Sequence, residues 1–153
     1  MISQTAEYAL RAIVHLAFNS DSPQTNRQIS ESTQVPMPYL SKVLQGMARA
    51  GLVHSVRGIH GGFSLASAPE DMTVYQVIQS VDPLTRITTC PLGLKAHGVN
   101  LCPLHRRLDN AMALVEQAFK DSTIADILAE PTTSKPLCSV SFVEAGRQMP
   151  RQH

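Results

Sequence analysis

The chain has 153 residues, 43% of them hydrophobic and 16% charged, with no Trp and a formal net charge of +1. That length allows one packed core, or a small domain with a dimerisation arm. The composition excludes an intrinsically disordered chain, and the near-neutral total demands no nucleic-acid partner on its own. No apolar run approaches the roughly 20 residues that cross a bilayer, and Glu7 and Arg11 interrupt any signal-peptide core. The expectation is a cytoplasmic protein without a membrane partner. Its cysteines, Cys90, Cys102 and Cys138, should stay reduced rather than form a disulfide framework.

From Ile2 to about Asn19, apolar Ala6, Leu10, Ile13, Val14 and Ala17 recur at helical spacing and predict a first core helix. Glu7, Arg11 and His15 follow one another four apart on another face, a row usually solvated and ion-paired. Asp21-Ser22-Pro23-Gln24 breaks this helix. Thr25 and Gln28 then have capping-box spacing for a short second helix ending near Ser32.

After the turn Gln34-Val35-Pro36, Pro38 suits the first turn of a third helix, which runs to about Ala50. Leu40, Val43, Leu44 and Met47 form its apolar face; Pro38, Tyr39, Ser41, Lys42, Gln45 and Arg49 occupy the rest. Gly51 is placed to end it. Leu52–Val56 and Phe63–Leu65 read as two short strands joined by Arg57-Gly58-Ile59-His60-Gly61-Gly62. Helix, short helix, helix and glycine-rich hairpin is the order of a winged helix-turn-helix.

Charge distribution agrees with that order. Between Glu31 and Glu70 there is no acid, while Lys42, Arg49, Arg57, His54 and His60 lie inside the window. A local basic face on a neutral molecule is what a reader of double-stranded DNA presents, although three cations can also be ordinary solvated surface. The candidate DNA-contacting residues are Thr25, Pro38, Tyr39, Ser41, Lys42, Gln45, Arg49, Arg57 and His60. The wing tip, with Arg57 and His60, could lay a guanidinium into a minor groove.

Thr73 and Gln76 repeat the capping-box spacing ahead of a helix with Val74, Val77, Ile78 and Val81 inward, stopped by Asp82-Pro83. Further on, Leu104, Leu108, Ala111, Met112, Val115 and Phe119 stripe a long helix, followed by a shorter one from Thr123 to Ala129. A second copy of the chain is the economical cover for such a stripe, and a two-fold protein would suit a palindromic operator; packing back onto the winged domain is the alternative.

The expected division is a winged helix-turn-helix domain over 1–82, a sensor loop over 83–105, dimerisation helices over 106–130 and a flexible tail over 131–153. The fold class is mainly α with a small β-hairpin wing. No role is assigned to Cys138 in the tail.

Between the two helical parts lies Cys90-Pro91-Leu92-Gly93-Leu94-Lys95-Ala96-His97-Gly98-Val99-Asn100-Leu101-Cys102-Pro103-Leu104-His105. Two soft sulfur donors, an imidazole three residues after the second, and Gly and Pro that let the chain curl back make a candidate sensor loop. Buried structural cysteines are the ordinary alternative.

At this point several collinear segments carry a resemblance: Glu7 to Arg11, Tyr39 to Leu44, Gly51 to Val53, Val56 to Phe63, Val77 to Asp82, Cys90 with Cys102-Pro103-Leu104-His105, and Thr123 to Leu128. Over roughly residues 1–130 the chain resembles the bacterial winged-helix regulators of the IscR and NsrR type. The resemblance implies a homodimeric transcriptional regulator, usually a repressor, that binds an iron-sulfur cluster and reports redox stress, nitric oxide or iron-sulfur status.

Many members of that family hold the cluster with three Cys, some adding a His matched here by His105, others a carboxylate of the partner's first helix matched here by Glu7. This chain departs at the middle position, which holds Ala96 with His97 beside it. Two outcomes stay open. Cys90, Cys102 and His105, with Glu7 of the partner subunit or His97, could hold a mixed-ligand [2Fe-2S] centre, whose imidazole ligation would raise its potential. Otherwise the loop is cluster-free and responds by thiol oxidation, through another ligand, or not at all. A thiol or metal enzyme using Cys90 or Cys102 with His105 as base is a remote third reading, since no phosphate loop, oxyanion signature or carboxylate constellation accompanies it.

Overall fold

Ser3 is in extended conformation and its side chain accepts from the Ala6 N–H at 3.1 Å, so the first helix, α1, begins there and covers Gln4–Phe18. The computed structural model describes residues 2–93 and 100–131. Ala96, His97, Cys138 and the 132–153 part of the expected tail lie outside the described residues.

The second helix, α2 (Asn26–Thr33), starts on the anticipated capping box. Gln28 Oε1 accepts from the Thr25 N–H at 2.8 Å while Thr25 Oγ1 accepts from the Gln28 N–H at 3.3 Å. Gln34 takes the left-handed conformation, φ 55°, that turns the chain into α3 (Met37–Arg49). Val35 in that turn is buried, and its carbonyl accepts from Ser30 Oγ at 2.7 Å.

Helix α3 closes in a two-bond C-terminal lock. Gly51, at φ 74°, donates to the Ala48 carbonyl at 3.1 Å, and Leu52 donates to Met47 at 3.0 Å. A side chain at Gly51 would be strained by that φ, hence the glycine. Strands β1 (Val53–Val56) and β2 (Gly62–Leu65) pair antiparallel with Val53 opposite Leu65 and Val56 opposite Gly62. Gln24 adds a one-residue third strand, exchanging both backbone hydrogen bonds with Phe63 at 2.8 Å. The wing is thereby fastened to the segment that leads into α2.

A short 3-10 turn, Pro69–Asp71, precedes α4 (Val74–Val81), which opens on the Thr73/Gln76 box. Helix α5 covers Pro103–Lys120 and α6 covers Ile124–Ala129, the latter begun by a third reciprocal cap between Thr123 and Asp126. The expected mainly α fold with a hairpin wing is the one observed.

One core organises these elements. Ile13, Leu16, Ile29, Leu40, Leu44, Met47, Met72, Ile78 and Ile124 are fully buried in it. Helix α6 therefore closes over α1 and the 3-10 turn, and the backbone confirms the attachment: Ile124 N–H donates to Met72 at 2.8 Å and Val74 N–H to Ser122 at 2.9 Å. Gly46 sits where α3 meets the end of α4. A Cβ there would stand 3.1 Å from the Ser80 carbonyl and from Val81 Cγ1.

The row of Glu7, Arg11 and His15 divides differently from the solvated row the spacing predicts. Glu7 and Arg11 do pair, Nε to Oε1 at 2.6 Å, and Arg11 Nη1 also reaches the Thr33 carbonyl at 3.1 Å. His15 instead lies inside, 8% exposed, because the helical drift of 100° per residue brings its position against the core-facing Ala12 and Leu16 rather than onto the wet face. Its desolvation lowers the imidazole pKa from the ordinary value, partly opposed by the Gln24 side chain.

Candidate nucleic-acid interface and thiol loop

The outer face of α3 is wet as the pattern predicts. Pro38, Tyr39, Lys42, Gln45 and Arg49 are exposed and Ser41 is half-buried. Tyr39 is 55% exposed and leans edge-on toward Tyr8 of α1, ring centres 6.1 Å apart, so this side chain is positioned by α1 as well as by its own helix. Lys42, Gln45 and Arg49 line one shallow cleft of about 320 Å³ with Thr5 and Ser80.

Thr25 and His60 share another, of about 350 Å³, between the start of α2 and the wing tip, with Ser22, Gln28 and Ile59. The sequence pattern picked out Thr25 and His60 but not their neighbours Gln28 and Ile59. The spacing of Gln28 from Thr25 signals a cap alone, and an apolar side chain on a wing gives no periodic signal.

Arg57 is exposed at the base of the tip. Lower on the wing, His54 Nε2 and Ser64 Oγ lie 2.9 Å apart across the two strands. Among the described residues, ion pairs form between Glu7 and Arg11, Arg27 and Glu31, Arg86 and Asp109 or Glu116, and Glu116 and Lys120. None consumes Lys42, Arg49 or Arg57. The acid-free window is thus a surface whose three cations enter no ion pair among the described residues.

Two parts of the loop are described, a turn at Cys90–Gly93 and the entry to α5. Gly93 N–H donates to the Cys90 carbonyl at 2.9 Å, forming a turn at φ 62°, and Cys102 is the N-cap of α5. Cys102 Sγ and His105 Nδ1 stand 3.3 Å apart, both half-buried. Just before the loop, Arg86 grips Asp109 of α5 with two bonds of 2.6 Å, and the same carboxylate accepts from the Ile87 N–H at 2.9 Å. Hydrogen bonding from Arg86, then from the Ile87 backbone, holds the Asp109 carboxyl below the usual range against its partial desolvation.

Helix α5 has no buried residue. Leu104, Leu108, Leu114 and Val115 are 63%, 48%, 74% and 47% exposed. Beneath its middle, Ile2, Leu84, Ala111, Met112 and Val115 line an apolar cavity of about 380 Å³ rimmed by Arg86 and Glu116. No helix among the described residues is long and apolar enough to cross a membrane.

Residues 2–130 match Rrf2, described as an iron-dependent transcriptional regulator family. The chain belongs to the Rrf2 family. Similar proteins include an HTH-type transcriptional regulator of Aquifex aeolicus, 30% identical over 131 residues, covering 84% of this chain and 91% of that one. The NsrR regulator of Bacillus licheniformis is 26% identical over 141 residues, covering 90% and 99%. The solved structure of T. potens IscR superposes with a TM-score of 0.70 at 25% identity, over 84% of this chain and 85% of that one. These relatives are transcriptional regulators, which places this Rrf2 chain among DNA-binding regulators and removes the enzyme reading.

The donors expected for a cluster are only partly gathered in this Rrf2 chain. At a tetrahedral metal with bonds of about 2.3 Å to sulfur and 2.0–2.1 Å to nitrogen, the sulfur-to-nitrogen edge is about 3.6 Å. The Cys102–His105 separation of 3.3 Å falls within a few tenths of that edge. Glu7 is engaged by Arg11, and His97 lies outside the described residues. Among the described residues no group of three or more His, Cys, Asp or Glu side chains is close enough to hold a metal ion. The Cys102–His105 pair fits a metal centre as half of its ligand set, and the other half would have to be supplied by Cys90 and by a residue from elsewhere.

Proposed function

We propose that this Rrf2 chain acts as a homodimeric repressor of transcription on a palindromic operator and that the loop from Cys90 to His105 sets its affinity. Helix α3 would enter the major groove with Tyr39, Ser41, Lys42 and Gln45 toward base edges and Arg49 toward phosphate, while Arg57 and His60 lie along the adjacent minor groove. One observation carries the reading: the cations of the acid-free window project outward and enter none of the ion pairs among the described residues. The uncovered stripe of α5 supports the dimer, since Leu104, Leu108 and Val115 remain in water on one chain.

In this reading Cys90, Cys102 and His105, completed by Glu7 of the partner subunit or by His97, would hold a [2Fe-2S] cluster. When bound, such a cluster supplies a one-electron couple sensitive to redox state and nitric oxide. The chain's own contribution is positional. Cys102 caps α5 and His105 lies on its first turn, so whatever engages that pair acts on the end of the helix carrying the apolar stripe.

A second reading has its own support, because among the described residues only Cys102 and His105 of the proposed donors are seen to converge: a cluster-free regulator responding through oxidation of its thiols or another ligand. Anaerobic purification with iron and sulfide analysis separates the two. About two iron and two sulfide per loaded site, lost in Cys102→Ala and His105→Ala, supports the cluster; none, with operator binding that responds to a thiol oxidant, supports the second. Equal operator affinity of loaded, empty and oxidised protein would refute the switch and leave a constitutive DNA binder.

A further inference from the structure

The turn that joins the wing strands is hydrogen-bonded and tightly closed. Gly61 N–H donates to the Gly58 carbonyl at 2.9 Å, and a Cβ on Gly61 would lie 2.4 Å from the Val56 carbonyl oxygen and 2.8 Å from that of Gly58. At the base, a Cβ on Gly62 would lie 2.4 Å from the Gln24 carbonyl oxygen, so the hairpin is pressed onto the strand segment before α2. This closed tip holds Ile59 out in water at 98% exposure, the highest of the large hydrophobic side chains among the described residues; Leu114 follows at 74%. A β-branched apolar side chain in that place adds nothing to the core. Its position, two residues after Arg57 and next to His60, puts it where the wing would meet DNA.

We propose that Ile59 is a specificity-determining residue, selecting A·T over G·C pairs where the wing enters the minor groove. The inference rests on the reading of α3 and the wing as the DNA interface. The floor of the minor groove presents only acceptors at an A·T pair, with adenine C2–H between them, whereas G·C adds the guanine 2-amino donor. A sec-butyl group on the floor packs against the first and strips water from the second without offering an acceptor. Apolar wedges at minor-groove steps are an established device of DNA-bending proteins. Arg57 biases the same way by a different force, since narrow A·T tracts carry the stronger negative potential. The two effects are separable by substitution, because one is steric and the other ionic.

The test selects sites from a random duplex library with wild type, Ile59→Ala, Ile59→Val and Arg57→Ala, then replaces G·C by inosine·cytosine at wing-facing positions. Inosine lacks only the minor-groove amino group. Wild type and Ile59→Val should prefer A·T or inosine·cytosine to G·C by about tenfold at those positions. Ile59→Ala should fall below about threefold while keeping its preferences under α3 and its melting temperature.

The proposal is overturned if wild type shows no such preference, if Ile59→Ala retains it, or if inosine·cytosine behaves as G·C. Weaker binding of Ile59→Ala to A·T and G·C sites alike also overturns it, making Ile59 a contact without readout. Should Arg57→Ala bind every duplex as wild type does, the wing does not touch DNA and the underlying reading fails instead.

Discussion

The salt dependence of operator binding tests the basic face directly. Lys42, Arg49 and Arg57 are exposed in each protomer and enter none of the ion pairs among the described residues, so a dimer would offer six such cations. If each, whether in a groove or on the backbone, displaces the counterion of one phosphate, log K falls against log salt with a slope of about −0.9 per contact, or about −5.4 in all. Between about 50 and 200 mM monovalent salt, affinity should then drop roughly 2,000-fold. Arg57→Ala removes two contacts per dimer and leaves a slope of about −3.6, a drop of roughly 150-fold over the same range. Anisotropy titrations of one labelled operator at several salt concentrations give these slopes. A monomer on a half-site would show about half the wild-type slope. If the alanine variants at all three positions run parallel to wild type, the phosphate contacts lie elsewhere and the reasoning from the acid-free window is wrong.

Three further outcomes concern the scaffold. Thr25→Ala removes the reciprocal cap of α2 and should cost about 1 kcal/mol, read as a shift of the urea midpoint with unchanged slope. Ile124→Ala empties a fully buried position and should cost about 2–5 kcal/mol; a cost near zero would show that α6 does not close the core. His15 has its pKa lowered in the folded protein, so its neutral form belongs to the fold and the unfolded chain binds the proton more readily. Its contribution is complete above about pH 6.5 and is lost as pH falls from there toward the folded pKa. On acidification wild type should therefore lose stability relative to His15→Leu in thermal melts, and a difference that does not vary between pH 8 and 5 would contradict the burial argument.

The parts that were legible in the chain are those set by local rules. Capping residues at Thr25 and Thr73, the glycine at 51 and the apolar faces of α3 and α4 are all short-range patterns, and the elements start within a residue or two of where those patterns put them. The Thr123/Asp126 box had the same spacing but an Asp in place of Glu or Gln, and only the helix was read from it. What stayed hidden depends on residues distant in sequence. Nothing near Gln24 announces that it pairs with Phe63, and Arg86 finds Asp109 23 residues later. His15 shared a four-residue spacing with Glu7 and Arg11, but the core grew around α1 widely enough to take it in. On the outer face of α3 the polar residues stand out by what is missing among them, an acid, whereas Ile59 becomes visible only through its exposure.

The attachment of α5 bears on how a loop event could reach DNA. Along the helix, Cys102 and Asp109 are seven residues apart, about 10 Å, and Asp109 and Lys120 eleven, about 16 Å. Arg86 and Ile87 clasp the middle at Asp109. The C-terminal end is held by Phe119 against the core and by Lys120 over the Tyr75 ring at 4.6 Å. Ahead of Asp109, Leu104 and Leu108 are exposed, and among the described residues no ion pair holds the first turn. In the proposed switch, a change in what Cys102 and His105 bind would act on the start of the helix, while the clasp at Asp109 ties it to the segment that follows α4. In a dimer paired through α5, displacement of that end changes the angle between subunits, and with it the spacing of the two α3 helices. A coupling of the usual 1–3 kcal/mol, about 5–150-fold in operator affinity, needs only a modest difference in how well the two spacings fit one operator. Asp109→Asn keeps the shape of the clasp but weakens its charge-assisted bonds, and so should reduce the affinity difference between loop states more than it reduces affinity itself.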